Sequence, residues 1–253
     1  MYKNIIVISD NQFMMQSFAE IISKKQIDSI NVSYAISPYS NYLDFNILTE
    51  NRSEIINVLD LKNQDTVKQV IKEYDLIFSI HCKQLFPKEL VDNVKCINVH
   101  PGYNPLNRGW YPQVFAIIND TNIGATIHEI DEFMDHGAII ARAFVEKKYS
   151  DTSLSLYNRI IEKEIELIDE HLLSIITNTY KTSAPESEGN LYLKKDFNKL
   201  TEIQLDERLS ALEFINKLRA LTHGTYKNAY FVNPENGKKV FLSINVEEEN
   251  EDL

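Results

Sequence analysis

Glycine is absent from the first 101 of 253 residues, and only seven occur in the whole chain. Neither a GxGxxG dinucleotide fingerprint nor a GxxxxGK phosphate loop can therefore follow the first strand, and the later glycines match neither pattern. Cysteine is scarcer still. Cys82 and Cys96 are too few and too far apart for a disulfide framework or a zinc cage, and they read as buried packing residues. No apolar run approaches the roughly 18 residues of a membrane span. The opening MYKNIIVISDNQF lacks the long apolar stretch and cleavage site of a signal peptide, so a cytoplasmic protein without a membrane partner is expected. Positive charge is also in deficit, with 26 Lys and Arg against 37 Asp and Glu. Five of the acids lie in the tail VEEENEDL, which leaves −6 of the formal −11 for the rest. That balance disfavours nucleic acid as a partner, although a local basic cluster can still receive a small anion.

The composition is that of a folded globular protein, with 43% apolar residues and enough length for one large domain and a small appendage. NIIVI (4–8), SINVSYAIS (29–37), DLIFSI (75–80) and VKCINV (94–99) read as strands, with a weaker one at 55–59. Helical patterns separate them at 12–23 and 64–73, and Pro87 opens a short helix. Alternation of this kind predicts an α/β fold with a doubly wound, mostly parallel sheet, whose ligands gather at the carboxyl ends of the strands. A helix over 110–119, strands at 123–130 and 138–145 and a long helix capped by Asp151 follow. The polar connector NTYKTSAPESEGN (178–190) then marks a boundary. We expect a catalytic domain over 1–180, a small helix-plus-hairpin domain over 181–246 with a two-residue turn at Asn236-Gly237, and an acidic tail over 247–253.

Unusual residues concentrate between Cys96 and Gly137, which hold four of the glycines, three of the seven prolines, three of the six histidines and the only tryptophan. Asn98 and His100 alternate at a strand end, so both side chains face the same way. An amide donor beside an imidazole suits stabilisation of an oxyanion and proton exchange in acyl transfer; a capped strand end explains the pair equally well. Asp135, in the turn DEFMDHG, can orient His100 or accept a proton, or it is a solvated turn acid. His100, His128 and His136 lack the short spacing of metal ligands, and no metal is expected. His81 and Lys83 are phosphate contacts or solvated surface. Tyr103, Trp110, Tyr111 and Phe115 suit a pocket lining, and helical packing explains the last three equally well.

With Asn98-Val99-His100-Pro101-Gly102, then Asp135-His136-Gly137, and QLFP at Gln84 to Pro87, the chain resembles the folate-dependent formyltransferases over residues 1–180. HPGYNPLNRGWYPQVFAI is similar to the sugar N-formyltransferase branch. The purine-synthesis branch has a glycine-rich first loop that Ser9-Asp10-Asn11-Gln12 cannot supply, and the methionyl-tRNA branch has a larger, basic second domain. The resemblance implies Asn98, His100 and Asp135 as catalytic residues, with Asn98 and His100 on the oxyanion and Asp135 orienting His100. It implies a slot for N10-formyltetrahydrofolate made by Gln84, Leu85, Phe86, Pro87, Asp131 and Met134. For the acceptor, a dTDP-linked amino-dideoxysugar of the 4-amino-4,6-dideoxyglucose type, it implies Asp10, Asn11, His81, Lys83, Tyr103, Asn104 and Arg108, joined by Lys194, Arg219 and Tyr226. It also implies a homodimer and a place in O-antigen synthesis. A formyltetrahydrofolate hydrolase and a noncatalytic sugar-nucleotide-binding protein stand as alternatives on the same fold.

Overall fold

The computed structural model describes residues 1–27, 29–41, 45 and 56–249. The apolar runs form the predicted strands: β1 (Asn4–Ser9), β2 (Asn31–Ile36), β3 (Ile56–Val58), β4 (Leu76–Ile80) and β5 (Lys95–His100). After β6 (Arg108–Gly109), β7 (Ile123–Glu129) and β8 (Ile139–Val145) complete one sheet in the order β3-β2-β1-β4-β5-β7-β8. Pairing is parallel from β3 through β5 and antiparallel at β7 and β8. Ile5 to Ile8 and all of β4 are buried, as strands covered on both faces require.

Helices α1 (Gln12–Lys24) and α5 (Ser153–Ile176) cover one face, where Met14, Phe18, Ile161, Ile168 and Leu172 pack together. On the other face Val67 and Val70 of α2 (Gln64–Glu73) and Leu90 of α3 (Lys88–Asn93) pack on Ile6, Ile8 and Ile77. The chain leaves β1 toward β2 on one side and returns to β4 on the other. That reversal opens a crevice at the carboxyl ends of β1 and β4.

The remaining elements are α4 (Pro112–Ile118), β9 (Leu191–Tyr192), α6 (Lys194–Thr201), α7 (Ala211–Leu221), β10 (Ala229–Val232) and β11 (Lys239–Leu242). The small C-terminal unit is not a separate body. Phe197, Ile203, Ala220, Leu221 and Ala229 share one core with Val114, Phe115, Leu156 and Ile160 of α4 and α5. A short parallel pairing of β6 with β9 ties the same two parts together.

Several local expectations change. Helix α4 starts at Pro112 rather than Trp110, because Tyr111 takes a left-handed backbone (φ 55°) that no helix continues. Thr152 caps α5 through a capping box with Ser155, while Asp151, just before it, accepts hydrogen bonds from Lys148 N, Ser155 Oγ and Arg159. The hairpin loop is longer than two residues: Asn233 N bonds to Lys238 O, leaving Pro234 to Gly237 in the loop. Residue 55 of the expected third strand and residues 250–253 of the tail lie outside the described residues. Among the described residues, no helix is long and apolar enough to cross a membrane.

Candidate active site

The crevice widens into a cavity of about 1380 Å³ reached by the ends of β1, β4 and β5, by residues 110–114 and by the C-terminal unit. Asp10 braces its floor. One carboxylate oxygen accepts from Ser37 N (2.9 Å) and Ser40 Oγ (2.6 Å), and the other accepts from Lys83 N (2.6 Å), which locks three strand-end loops together. His81, Tyr111 and Asp135 all line this cavity with positive φ, a costly backbone conformation for non-glycine residues that clusters at working sites.

Asp135 is the centre of the polar web. Its Oδ1 accepts from Asn98 Nδ2 (2.9 Å) and its Oδ2 from the Gly109 backbone N–H (2.9 Å). His100 Nδ1 stands 3.6 Å from Oδ2 and His128 Nε2 3.7 Å from Oδ1. Burial pushes the Asp135 carboxyl up, but the His100 charge, the His128 contact and charge and the Gly109 N–H outweigh it and hold the group well below the usual carboxylate range. It is an acceptor at every physiological pH. Asn98 Nδ2 also lies 3.1 Å from His128 Nε2, and His128 Nδ1 lies 2.7 Å from its neighbour's carbonyl, Glu129 O. Since a carbonyl only accepts, Nδ1 carries the hydrogen in the neutral ring and Nε2 receives one from Asn98. Both amide hydrogens of Asn98 are thus engaged. On the same logic His100 Nε2 donates to Asn107 O (2.9 Å), which leaves Nδ1 as the side of the ring that faces Asp135.

The loop between β5 and α4 is built to hold this arrangement. A Cβ on Gly102 would lie 2.5 Å from His100 Nε2, so only glycine lets the ring sit there. Asn104 donates through Nδ2 to Asp135 O (2.9 Å), and Thr126 Oγ1 bridges Asn104 N and Gly102 O.

The expected site residues fall into three groups. Asn98, His100, Asp135, Gln84, Leu85, Phe86, Pro87, Asp131, Met134, Asp10, Asn11, His81, Lys83 and Tyr226 all line the cavity. The Gln84 side chain, however, ties Leu61 N and Leu59 O to its own loop (both 2.9 Å), so only the main chain there is offered to a ligand. Lys194 stands behind the cavity residue Trp110, its Nζ 5.7 Å from the ring. The rest lie away from the cavity. Tyr103 stacks on Phe144 (3.7 Å) beneath Arg142. Arg108 holds Met134 O and Glu188 O, and Arg219 holds Asp151 O and Lys148 O. Each guanidinium is buried and bound to carbonyls, so these two arginines and the buried Asn104 serve the scaffold. The cavity residues not foreseen as contacts include three with titratable rings: His128, Tyr157 and His223. His128 is visible only through the pairing of Asn98 opposite it across β5 and β7. Cys96 is buried and Cys82 half-buried at the cavity, and desolvation pushes both thiols up to about 12, in keeping with packing.

A family model described as "Formyl transferase" matches residues 3–172. The chain belongs to that family. A second model, "N-formyltransferase dimerization C-terminal domain", matches residues 196–248 of this formyltransferase. The chain is 48% identical over 185 residues to the dTDP-4-amino-4,6-dideoxyglucose formyltransferase of Mycobacterium tuberculosis, covering 73% of this chain and 79% of that one. Among solved structures it is similar to a 4-N formyltransferase from Francisella tularensis (41% identity, TM-score 0.90, covering 98% of this chain and 99% of that one). It is also similar to a sugar N-formyltransferase from Shewanella (34% identity, TM-score 0.92, 98% and 99% covered).

Because the folded-state pKa of Asp135 is depressed, its contribution to stability is present above its unfolded pKa of about 3.9 and is lost as pH falls below that value. Asp135→Asn removes this term. The variant is expected to melt lower than wild type at pH 7, with the gap narrowing toward pH 3, as read by thermal melts across that range.

Proposed function

We propose that this formyltransferase moves a formyl group from N10-formyltetrahydrofolate to the 4-amino group of dTDP-4-amino-4,6-dideoxyglucose, in the cytoplasm, for surface polysaccharide (O-antigen) synthesis. The observation that carries the proposal is the web of Asn98, His100 and Asp135 at the base of a single cavity. At about 1380 Å³ the cavity exceeds the roughly 300–1,000 Å³ that one small ligand occupies, which suits two substrates meeting over that web. The Mycobacterium tuberculosis relative, a dTDP-4-amino-4,6-dideoxyglucose formyltransferase, supplies the acceptor.

The residues present fit the donor. Leu85 (71% exposed) and Phe133 (58% exposed) face the cavity with Phe86, Pro87 and Ile130, an apolar slot that a flat pterin would cover. The donor carries the activated formyl group. What the chain does is position and stabilise. A neutral amine adding to the formyl carbon puts negative charge on its oxygen, and an Asn98 hydrogen that now rests on His128 turns to that oxygen. His100 Nε2 is held on Asn107 O, so its part differs from the expected oxyanion contact. Nδ1 takes the amine proton and the carboxylate of Asp135 steadies the imidazolium that results; as the oxyanion collapses, the bond from the formyl carbon to N10 breaks and the imidazolium returns its proton to N10, releasing tetrahydrofolate. In this reading residues 1–180 carry the chemistry and 181–246 close the acceptor side and pair two copies. Leu205, Leu212, Phe214, Ile215 and Phe241 expose apolar surface on that second unit, which suits a homodimer face.

Incubation with formyltetrahydrofolate and a panel of dTDP-aminosugars is expected to add one formyl mass to the 4-amino-4,6-dideoxy sugar and to leave the donor intact without acceptor. Asn98→Ala should lower turnover by roughly 100-fold or more. No mass gain on any sugar, or near-normal turnover in both Asn98→Ala and His100→Asn, would overturn the assignment. Gel filtration with light scattering should give twice the 29.3 kDa chain mass, and Phe214→Asp should shift it toward one chain mass.

A further inference from the structure

The turn between β7 and β8 carries Asp135 and, two residues before it, Phe133, a wall of the apolar slot; residues 130–135 all line the cavity. The base of the turn is pinned, since Glu129 N bonds to Ala138 O and Ile130 N to Cys96 O (both 2.9 Å). Its second half is pinned as well, because Arg108 Nε donates to Met134 O (3.1 Å) and Asn104 Nδ2 to Asp135 O (2.9 Å). The first half is held differently. Among the described residues, both hydrogen bonds that reach residues 131–133 end on the Asp131 carboxylate: Phe133 N donates to Oδ1 (2.9 Å), and His136 Nδ1 stands 2.7 Å from Oδ2.

A carboxylate only accepts, so Nδ1 of His136 carries a hydrogen whether the ring is neutral or charged. Its Nε2 faces the exposed Glu188 carboxylate at 3.7 Å, beyond hydrogen-bond range, so the bond to Asp131 is what fixes the ring. The ring also stands edge-on to Phe133, with centroids 5.4 Å apart. Both oxygens of Asp131 are therefore engaged within the turn. One holds the backbone of Phe133, and the other holds the residue directly after Asp135. The half-buried pair thus joins the slot wall to the centre of the polar web, across a stretch of chain that would otherwise be free to move between them. Phe133 is 58% exposed, so packing does not hold it in place. Without the pair, the cost of ordering this wall would fall on the ligand that covers it.

We propose that Asp131 and His136 are a positioning pair for the donor: His136 acts through Asp131 to hold Phe133 over the slot at a fixed place relative to Asp135, and neither side chain touches the reacting atoms. The proposal rests on the donor being a reduced folate. It changes the expected part of Asp131 from a donor contact to a brace.

The test is titration of folinic acid, the stable 5-formyl isomer of the donor, into wild type, His136→Phe, His136→Asn, Asp131→Ala and the double variant Asp131→Ala/His136→Phe, with dTDP titrated beside it. His136→Phe keeps a ring against Phe133 and removes the hydrogen, and it should weaken folinic acid binding about tenfold while dTDP affinity stays within about twofold of wild type. His136→Asn, whose Nδ2 replaces the Nδ1 hydrogen, should restore most of the loss. The double variant should bind folinic acid no more weakly than Asp131→Ala alone, because His136 acts only through that carboxylate. Unchanged folinic acid binding in His136→Phe, no recovery in His136→Asn, losses that multiply in the double variant, or an equal loss of dTDP affinity would each overturn the inference and leave the donor reading standing. Wild type that binds no folinic acid would overturn the donor reading itself and the pair with it.

Discussion

The interaction on which the structure turns is the buried carboxylate of Asp135 bonded to the amide of Asn98. A carboxylate away from water must be given hydrogens, and each group that gives one is fixed by doing so. Asn98 and Gly109 bond to it directly, while His100 and His128 flank it. The loop that supplies Gly109 is tied to the same turn again, through Asn104 Nδ2 and Arg108 Nε. The chain invests its strained backbone here, at Asp135 itself and at Tyr111 across the cavity. The outcome is an amide with both hydrogens committed, one to Asp135 and one to His128.

Around that point the fold solves a second problem, which is to keep open a cavity of about 1380 Å³. The sheet supplies the rigid floor, and Asp10 staples the loops after β1, β2 and β4 into one surface. The far wall comes from the C-terminal unit, which is joined to α4 and α5 by a shared apolar core and by the Ser153–His223 bond. The unit that exposes Leu205, Leu212, Phe214, Ile215 and Phe241 thus also shapes the cavity.

Much of this is legible in the sequence. Strand runs such as NIIVI and LIFSI announce strands buried on both faces, and alternation of Asn98 with His100 puts both at one sheet end. What stays hidden depends on distance in the chain. Arg108 and Arg219 look like anion contacts because guanidinium usually is one, yet both satisfy carbonyls that the local sequence cannot reveal as exposed to them. His128 enters the web only through antiparallel register. Glu164 did leave a trace, since an acid on the apolar stripe of a helix must have a partner; that the partner is His81 is a fact of tertiary packing.

The central claim is that the Asp135 carboxylate, by holding Asn98 and supporting His100, makes the formyl-transfer step possible without itself gripping the acceptor. Measuring the single-turnover rate of Asp135→Asn beside its affinity for dTDP separates the two. The account predicts a rate lower by about 100-fold or more with dTDP affinity within about twofold of wild type. A rate within threefold of wild type, or a rate loss matched by an equal loss of dTDP affinity, would contradict it.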